Sequence, residues 1–432
     1  MRIAIITENF FPKVDGVTRT LGQLLEHLQR GKHKVMLLGP ESGMTSYAGA
    51  ELVGTVGIPF APYPELKLNL WRPKFTAKLV EFEPDVIHLV DPVWLGATAL
   101  VISRLYLPNV PVVASYHTNL ATYCQHFGWG IFSPLMWRWN QYCHSKCVYT
   151  VCPSKSTSRI LQDKGFQNVR IWPRGVDIGL FSPDNYSSQL RAQWMGLSEA
   201  EAAAKTVILY VGRVSLEKNI GLVVNAYKEM DHQKSHLVIV GHGPAFDSIQ
   251  SECARSAIPV TFTGYLQGMH LATAFASANI FAFPSATETF GQVVLESMAS
   301  GLAVAGLLAE GVRDLVEHGK SGLLLDTTDL SEEEQCYSFK QNLEQLVADP
   351  DMRRRMSREA VKASKRYTWY EAMECMTRTY RDAAGFSLTE KSCFENEAGD
   401  SGVEEDFALE DNIDDLSPVE TAQNPKTSET TW

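Results

Sequence analysis

Two glutamates set eight residues apart are the first side chains in this sequence that could do chemistry. Glu288 and Glu296 lie in the stretch SATETFGQVVLESMASG, where an apolar run passes through a short turn into a helix-like segment. Gly291 in the turn lets the backbone approach a ligand, and the free N–H groups at a helix N-terminus favour an anion. Glu288 can reach sugar hydroxyls, and Glu296 can accept hydrogen bonds from a vicinal diol such as a ribose. Because its neighbours are apolar, Glu296 needs a partner.

Two cations follow another apolar run. Arg213 and Lys218 lie five residues apart in VGRVSLEKNIG, just past a predicted strand and at the start of the next helix. Arginine offers a planar fork of donors and lysine a point charge, a combination that suits a diphosphate. The alternative is an ordinary pair of surface charges.

The first half of the chain contributes a glycine and a histidine. Gly16 in ENFFPKVDGVTRT lies between the first predicted strand and its helix, and no G-x-G-x-x-G follows that strand. The missing dinucleotide fingerprint counts against a nicotinamide dehydrogenase. His117 in SYHTN follows a buried strand and would face the same cleft, although a structural histidine with its hydrogen bonds satisfied is the alternative.

The elements that position these residues form an α/β pattern. Apolar runs such as RIAIIT, KVMLLG and PDVIHLV alternate with helix-length segments, as is typical of parallel strands buried on both faces. After a polar, helix-rich linker from Asn185 to about Lys205, the pattern restarts with TVILYVGR. We therefore predict two Rossmann-like, doubly wound domains, residues 1–185 and 186–366, that face a cleft at the carboxyl ends of their strands.

Composition adds a third region. The chain has 432 residues, of which 45% are hydrophobic and 21% charged, and its net charge is −11. From Glu390 onward there are 13 acidic residues and two lysines, so the remaining 37 acids and 37 bases balance. Residues 387–432 are therefore predicted to be an acidic, disordered tail. We expect no nucleic-acid partner.

The N-terminal sequence and the lack of a long apolar run predict where the protein is located. The spacing of the cysteines predicts whether their thiols are free. The N-terminal MRIAIITENF resembles a strand more than a secretory signal, and no run of 18 apolar residues occurs, so we expect a protein that is cytoplasmic or peripheral to a membrane. Cys143, Cys147 and Cys152 cluster with His144. A zinc site is one interpretation of this cluster, but the spacing fits no zinc pattern, and unpaired core thiols are the preferred one.

Together, RGVD, VGR…EK and E-x7-E before MASG resemble the family 4 glycosyltransferases of the GT-B fold, over residues 1 to about 385. The resemblance implies that Glu288 contacts the donor sugar and Glu296 the nucleotide ribose. It also implies that Arg213 and Lys218 neutralise the diphosphate without a metal, so that no cofactor is needed.

The same resemblance assigns further roles. It implies that His117 lies near the transferred sugar and the acceptor, that the Gly16 loop closes over the diphosphate, and that Phe290 and Gly291 belong to the donor-binding turn. It also implies retention of anomeric configuration without a covalent intermediate, and a last helix, residues 367–385, that crosses back to the first domain.

Two departures from the family pattern stand out. Asp15-Gly16 replaces the two glycines of many members, and Leu307-Leu308-Ala309-Glu310-Gly311 replaces a glycine-rich turn. These put the phosphate contact of the first loop and any family role of the second turn in doubt.

Within the family, ENFFPKVDGVTRT and WPRGVD look like GDP-mannose-dependent α-mannosyltransferases, whereas SYHTN, FTGYLQG and TETFGQVVLESMASGL also look like sulfoquinovosyltransferases of sulfolipid synthesis. Both subgroups imply a nucleotide-diphosphate sugar as donor and a lipid or glycolipid as acceptor. Residues 126–142, with three tryptophans, would then lie at a membrane interface or form a buried helix. A binder without catalysis, an oxidoreductase and a GT-B epimerase are the alternatives of other classes.

Overall fold

A computed structural model of the chain describes residues 1–11, 15–60, 63–119 and 130–386. Within them, two mainly parallel sheets arise from successive halves of the chain, as the alternating apolar runs predicted. The acidic tail from residue 387 lies outside the described residues. None of the described helices is both long and apolar enough to cross a membrane.

The first sheet has eight strands in the order β10-β9-β8-β7-β1-β2-β4-β3, and all neighbours except β3 and β4 are parallel. Strands β5 and β6 pair separately as an antiparallel hairpin. The ten strands are β1 Arg2–Thr7, β2 Lys34–Pro40, β3 Ser46–Tyr47, β4 Ala50–Thr55, β5 Gly57–Phe60, β6 Tyr63–Asn69, β7 Val86–Val90, β8 Val112–Ser115, β9 Tyr149–Cys152 and β10 Val169–Ile171.

Strand β4 was not predicted because its sequence, AELVGT, is not a continuous apolar run. Glu51 and Gly54 are exposed between buried neighbours, as expected for a strand near the edge of the sheet.

The helices that cover the first sheet are α1 Gly16–Arg30, α2 Pro73–Phe82, α3 Leu95–Tyr106, α4 Ser133–His144 and α5 Lys155–Asp163.

The second sheet has six parallel strands in the order β13-β12-β11-β14-β15-β16. They are β11 Thr206–Val211, β12 Ser235–Val240, β13 Val260–Gly264, β14 Ile280–Phe283, β15 Ala303–Leu307 and β16 Gly322–Leu325. The helices around them are α8 Ile220–Lys228, α9 Phe246–Arg255, α10 Gly268–Ala276, α11 Gln292–Ala299, α12 Val312–Leu315, α13 Glu332–Ala348 and α14 Pro350–Ser364.

The segment between the sheets is packed and not an open linker. It contains helices α6 Ser188–Met195 and α7 Glu199–Ala203. Arg191 of α6 is only 3% exposed and donates to the carbonyl oxygens of Ser277 and Lys205. The bond to Ser277 attaches the segment to the second domain, and the bond to Lys205 ties α6 to the end of the segment.

The last described helix, α15 Trp369–Ala383, returns to the first domain, as predicted. Its residues Met373, Met376 and Tyr380 lie in the same hydrophobic cluster as Ile3 and Leu21. The chain reaches α15 through a close approach to the RGVD segment. A Cβ on Gly175 would lie 2.2 Å from the backbone nitrogen of Trp369, so only glycine fits there.

Candidate active site

The donor-side residues gather where the strand order of the second sheet reverses. Strands β11 and β14 are neighbours although two strands separate them in sequence, and such a switch point opens a crevice at the carboxyl ends. Arg213 follows β11, Lys218 ends the 3-10 turn Leu216–Lys218, and Glu288 follows β14. The structure therefore joins Lys218 to Glu288 at this edge of the sheet, and Arg213 follows the neighbouring strand β11.

Glu288 is held by an ion pair. Its Oε1 accepts from Nζ of Lys218 at 2.5 Å and from the hydroxyl of Ser285 at 3.1 Å. The side chains of Lys218 and Glu288 are 18% and 21% exposed, so solvent reaches both. A polyanion entering this crevice would compete with Glu288 for Lys218.

The turn between the two glutamates depends on its glycine. Gly291 has φ +90°, a left-handed conformation that side-chain-bearing residues rarely adopt, and α11 begins at the next residue. Phe290 faces the core, with its ring 6.2 Å from that of Tyr367. A donor could therefore contact Phe290 only through the backbone of Phe290. Gly291 has no side chain, so a ligand can come close to the start of α11.

Glu296 is a buried carboxylate with incomplete hydrogen bonding. It is 3% exposed, and burial raises its pKa to about 7, although Arg19 opposes this rise. Nη1 of Arg19 in the first domain is 3.7 Å from its Oε1, and Nε2 of Gln292 is 3.5 Å from the same oxygen. Its Oε2 has no hydrogen-bond partner within the described part of the chain. This oxygen can therefore accept a ligand hydroxyl.

A cleft of about 300 Å³ lies beside Glu296 between the two domains. Its walls include Gly16 and Arg19 from α1 and Trp369 from α15. Gly16 has an ordinary φ and nothing within 4 Å of a built Cβ. Asp15, which precedes it, caps α1 by accepting from the backbone nitrogen of Thr18 at 2.9 Å. The aspartate thus has a helix-capping role, and residues 12–14 of the loop lie outside the described residues.

His117 lies two residues after β8 and is 6% exposed. Its backbone nitrogen donates to Oδ1 of Asp91 at 2.7 Å, and its carbonyl oxygen accepts from Oγ1 of Thr289 at 2.8 Å. Its Nδ1 contacts the guanidinium of Arg174, and its Nε2 lies 2.8 Å from Oγ of Ser115. Burial, and then Arg174, lower its pKa well below the usual range, so the ring is neutral.

Arg174 and Asp91 are site residues that the sequence analysis did not single out. Both follow strands of the first sheet, and burial raises the pKa of Asp91 to about 6 and lowers that of Arg174 to about 10. Nη1 of Arg174 has no hydrogen-bond partner among the residues that the structure describes. The available sequence signal was a charged residue directly after an apolar run, in LVDP and IWPRG.

The turn at residues 307–311, which departs from the family pattern, links the domains. Thr157 at the start of α5 donates to Oε1 of Glu310 at 2.6 Å. Oδ2 of Asp314 accepts from the backbone nitrogen of Ser156 at 2.8 Å and from its hydroxyl at 2.6 Å. Gly311 has φ +75°, and a Cβ there would lie 2.7 Å from the nitrogen of Phe290. The altered turn therefore still packs against the donor-binding turn.

The cysteine cluster does not form a metal site in the described residues. Cys143 and Cys152 are buried free thiols, Cys147 is partly buried, and no described group of three or more His, Cys, Asp or Glu side chains could hold a metal ion. His144 instead lies 3.1 Å from Oγ1 of Thr150. The interpretation of these cysteines as unpaired thiols is the one that fits.

Comparison with known proteins gives two matching families and many relatives. Residues 14–180 match the family described as Glycosyltransferase Family 4, and residues 198–363 match Glycosyl transferases group 1. A GDP-mannose-dependent alpha-mannosyltransferase of Corynebacterium glutamicum is 32% identical over 90% of this chain and 90% of its own length. The sulfoquinovosyl transferase SQD2 of Arabidopsis thaliana is 29% identical over 86% of this chain and 71% of its own length.

Solved structures share the fold. Sucrose-phosphate synthase from Thermosynechococcus elongatus superposes with a TM-score of 0.72 at 19% identity, covering 89% of this chain and all of that one. HepE from Anabaena, in complex with UDP, gives a TM-score of 0.69 at 18% identity, covering 88% of this chain and all of that one. The predicted architecture of two Rossmann-like domains around a cleft is confirmed.

Proposed function

Since the chain belongs to glycosyltransferase family 4, we propose that it transfers a hexosyl group from a nucleotide-diphosphate sugar to a lipid or glycolipid hydroxyl. GDP-mannose is the favoured donor because three relatives that are 32% to 34% identical are GDP-mannose-dependent alpha-mannosyltransferases. A sulfoquinovosyl donor is the second candidate, supported by the similarity to the Arabidopsis enzyme.

The observation that carries this proposal is the unsatisfied carboxylate of Glu296. A buried oxygen without a hydrogen bond is unfavourable, and a ribose hydroxyl in the cleft would satisfy it. Lys218 and Arg213 lie at the switch point, where the diphosphate would bind. There the diphosphate would draw Lys218 away from Glu288 and leave that carboxylate for the sugar hydroxyls.

We propose a retaining reaction that uses no metal. Arg213 and Lys218 would balance the charge that develops on the leaving diphosphate, which is the task that a divalent cation performs in other enzymes. The acceptor hydroxyl would attack on the face that the phosphate leaves, with the phosphate oxygen accepting its proton. Full activity in EDTA and an NMR spectrum of the product with the donor's anomeric configuration are expected; loss of activity in EDTA or inversion would contradict the mechanism.

Transfer itself is tested with radiolabelled donors. Purified protein is incubated with GDP-mannose, UDP-glucose or UDP-sulfoquinovose and with diacylglycerol or a glycolipid in detergent, and label is measured in the organic phase. We expect incorporation from GDP-mannose. Transfer from UDP-sulfoquinovose alone would favour the second candidate. Donor binding without transfer or hydrolysis would indicate a binder without catalysis.

A lipid acceptor requires access to a membrane, and we propose that the first domain provides it through one face. Helices α3 and α4 are adjacent: Nε1 of Trp139 donates to the carbonyl of Val93, and Arg104 donates to that of Lys146. Their outward side chains are largely apolar. The α3–α4 face comprises the exposed residues Val101, Leu105, Tyr106, Ile131, Phe132, Leu135, Trp139 and Tyr142.

Charge supports an anionic lipid surface as the occupant of this face. Between Asp91 and Asp163 the sequence has no acidic residue but five lysines and arginines, although the chain as a whole carries −11. Apolar side chains inserted among headgroups and basic residues near anionic lipids both favour peripheral binding. Residues 126–129, including the first of the three tryptophans noted in the sequence, lie outside the described residues.

A further inference from the structure

Gln292, the first residue of α11, connects the buried carboxylate of Glu296 to the RGVD segment. Its Nε2 donates to the carbonyl oxygen of Gly175 at 3.0 Å and lies 3.5 Å from Oε1 of Glu296. Both Gln292 and Glu296 line the cleft between the domains. One side-chain amide therefore contacts a backbone carbonyl on one side and, on the other, the carboxylate that we assign to the ribose.

The carbonyl of Gly175 fixes the orientation of this amide. A carbonyl oxygen can only accept a hydrogen bond, so the amide must present its nitrogen, and not its oxygen, to Gly175. The second proton of the same nitrogen is then available to Oε1 of Glu296. A carboxylate attracts an N–H group in this position and would repel the amide oxygen. Both partners thus favour the same one of the two possible orientations, and the amide cannot turn over without losing both contacts.

The contact leaves the two oxygens of Glu296 in different surroundings. Oε1 is near Gln292 and the guanidinium of Arg19, whereas Oε2 has no hydrogen-bond partner among the residues that the structure describes. A carboxylate that is held by one oxygen keeps the other oxygen in place for a ligand. The side chain of Arg19 is 40% exposed and its Nη1 is 3.7 Å away, so the arginine alone is a loose holder.

The carbonyl that anchors this amide lies where the chain passes between the domains. Trp172 packs in the core of the first domain and Val176 in that of the second, with Gly175 between them. The return crossing runs beside it, because the backbone nitrogen of Val176 donates to the carbonyl of Tyr367 at 2.9 Å. Tyr367 packs against the second core and Trp369 against the first. Gly175 therefore belongs to a pair of segments that are the covalent connections between the domains.

We propose that Gln292 is a positioning residue that holds Glu296 by Oε1, keeps Oε2 directed to the ribose of the donor and makes this orientation depend on the segment that connects the domains. The inference rests on the proposed nucleotide-sugar donor. It goes beyond that proposal because it gives a part in ribose recognition to a side chain other than the two glutamates and the two cations. Gln292 acts through Glu296 and needs no contact of its own with the nucleotide.

The test compares two nucleotides that differ only in the hydroxyls of the ribose. Gln292→Met keeps the length of the side chain and removes its N–H groups. In titration calorimetry its affinity for GDP should fall roughly tenfold, as expected for the loss of one hydrogen bond to a charged group. Its affinity for 2′,3′-dideoxy-GDP should stay unchanged, because that nucleotide has no hydroxyl for Glu296. A general defect in folding would instead weaken the binding of both nucleotides alike.

Two further variants separate an indirect role from a direct one. In the background of Glu296→Ala, Gln292→Met should cause no further loss of GDP affinity, because a residue that acts through the carboxylate has nothing left to position. The matched control is Gln335→Met, which removes an amide that donates to the carbonyl of Leu330 at 2.9 Å in the first turns of α13. This control should bind both nucleotides as the unsubstituted chain does.

The outcomes distinguish this inference from the proposed function. Equal losses for the two nucleotides, or additive losses in the double variant, would overturn the inference. If the unsubstituted chain binds neither GDP nor UDP, the proposed function fails, and a ¹³C NMR titration of the Glu296 carboxyl decides the inference. A higher pKa of Glu296 in Gln292→Met would then support positioning, because the loss of an N–H donor destabilises the carboxylate, whereas an unchanged pKa would overturn it.

Discussion

Arg19 and Glu296 meet across the cleft, with Nη1 of the arginine 3.7 Å from Oε1 of the glutamate. The arginine belongs to the first helix of one domain and the glutamate to the donor side of the other. Glu296 is 3% exposed, so this cation is the main favourable charge against its desolvation. The contact makes the ionisation of Glu296 sensitive to closure of the cleft.

The first prediction concerns stability against pH. The pKa of Glu296 is about 7 in the folded chain and near 4.5 as a free side chain, so between these values the folded state keeps a proton that the unfolded state has lost. Stability from this group is therefore greatest below pH 4.5 and falls as pH rises to 7, by about 3 kcal/mol. Urea unfolding at pH 5 and pH 8 isolates this contribution as a difference, because the stability of the unsubstituted chain relative to Glu296→Gln should fall between the two pH values.

The control for that experiment is Glu344→Gln on the exposed side of α13, which should keep the pH dependence of the unsubstituted chain. If Glu296→Gln has the same pH dependence of stability as the unsubstituted chain, the raised pKa is wrong.

The two glutamates of the donor turn should have separable effects. Glu288→Gln keeps the size of the side chain and removes its charge, so it should lower kcat about 10²-fold with little change in affinity for the nucleoside diphosphate. Glu296→Ala should instead weaken calorimetric binding of the diphosphate, which carries a ribose but no sugar. Lost diphosphate affinity in Glu288→Gln together with full affinity in Glu296→Ala would reverse the assignment.

The contacts of α5 with the second domain should stabilise the closed cleft. Ser156→Ala removes the hydroxyl that donates to Asp314 and accepts from the nitrogen of Gly311. Hydrogen bonds to a charged group contribute about 1.5–3 kcal/mol, so KM for the donor should rise roughly tenfold and small-angle scattering should show a larger radius. Ser158→Ala, which alters a hydroxyl that interacts with Cys152 in its own domain, is the matched control. Equal scattering profiles for the two variants would argue against a role in closure.

Gly175 should tolerate no side chain. A Cβ there would overlap the backbone at Trp369, and overpacking of this kind costs about 1–3 kcal/mol or more. Thermal unfolding of Gly175→Ala should show a lower Tm than the unsubstituted chain. Gly221→Ala in α8, where a Cβ meets nothing within 4 Å, should instead raise the Tm slightly because alanine is the better helix former. A neutral Gly175→Ala would mean that α15 can shift without loss.

The α3–α4 face should bind vesicles that contain anionic lipid. Leu135→Glu places an acid in an apolar face and removes a side chain worth about 1.5–3 kcal/mol on burial, so binding in a sedimentation assay should weaken tenfold or more. Met269→Glu, at an equally apolar and exposed position of the second domain, should leave binding intact. Equal losses of vesicle binding in the two variants, or no vesicle binding by the unsubstituted chain, would refute membrane binding through the α3–α4 face.

The sequence predicted the features that depend on local pattern. Apolar runs located most strands, and the residues that the sequence singled out include Lys218 and Glu288, which the structure pairs after strands β11 and β14. The crossing of the last helix was predicted from the family resemblance and not from periodicity, because an amphipathic helix such as α15 could have packed on either domain.

Contacts between distant residues could not be predicted in this way. Arg174 meets His117 across 57 positions, and Ser156 meets Asp314 across 158. Such pairs depend on the order of strands in the sheet, which a single sequence does not specify. Each residue taken alone resembles an ordinary loop or cap residue, and only the tertiary arrangement reveals its partner.

The return of α15 to the first domain has a consequence for synthesis on the ribosome. Met373, Met376 and Tyr380 complete a core that begins with Ile3, so the first domain cannot close its hydrophobic interior until α15 has been synthesised. Domains usually fold in the order of their translation. Here the second domain can finish while the first still exposes an unfilled groove, and any premature stop before residue 369 would leave that groove open to chaperones and proteases.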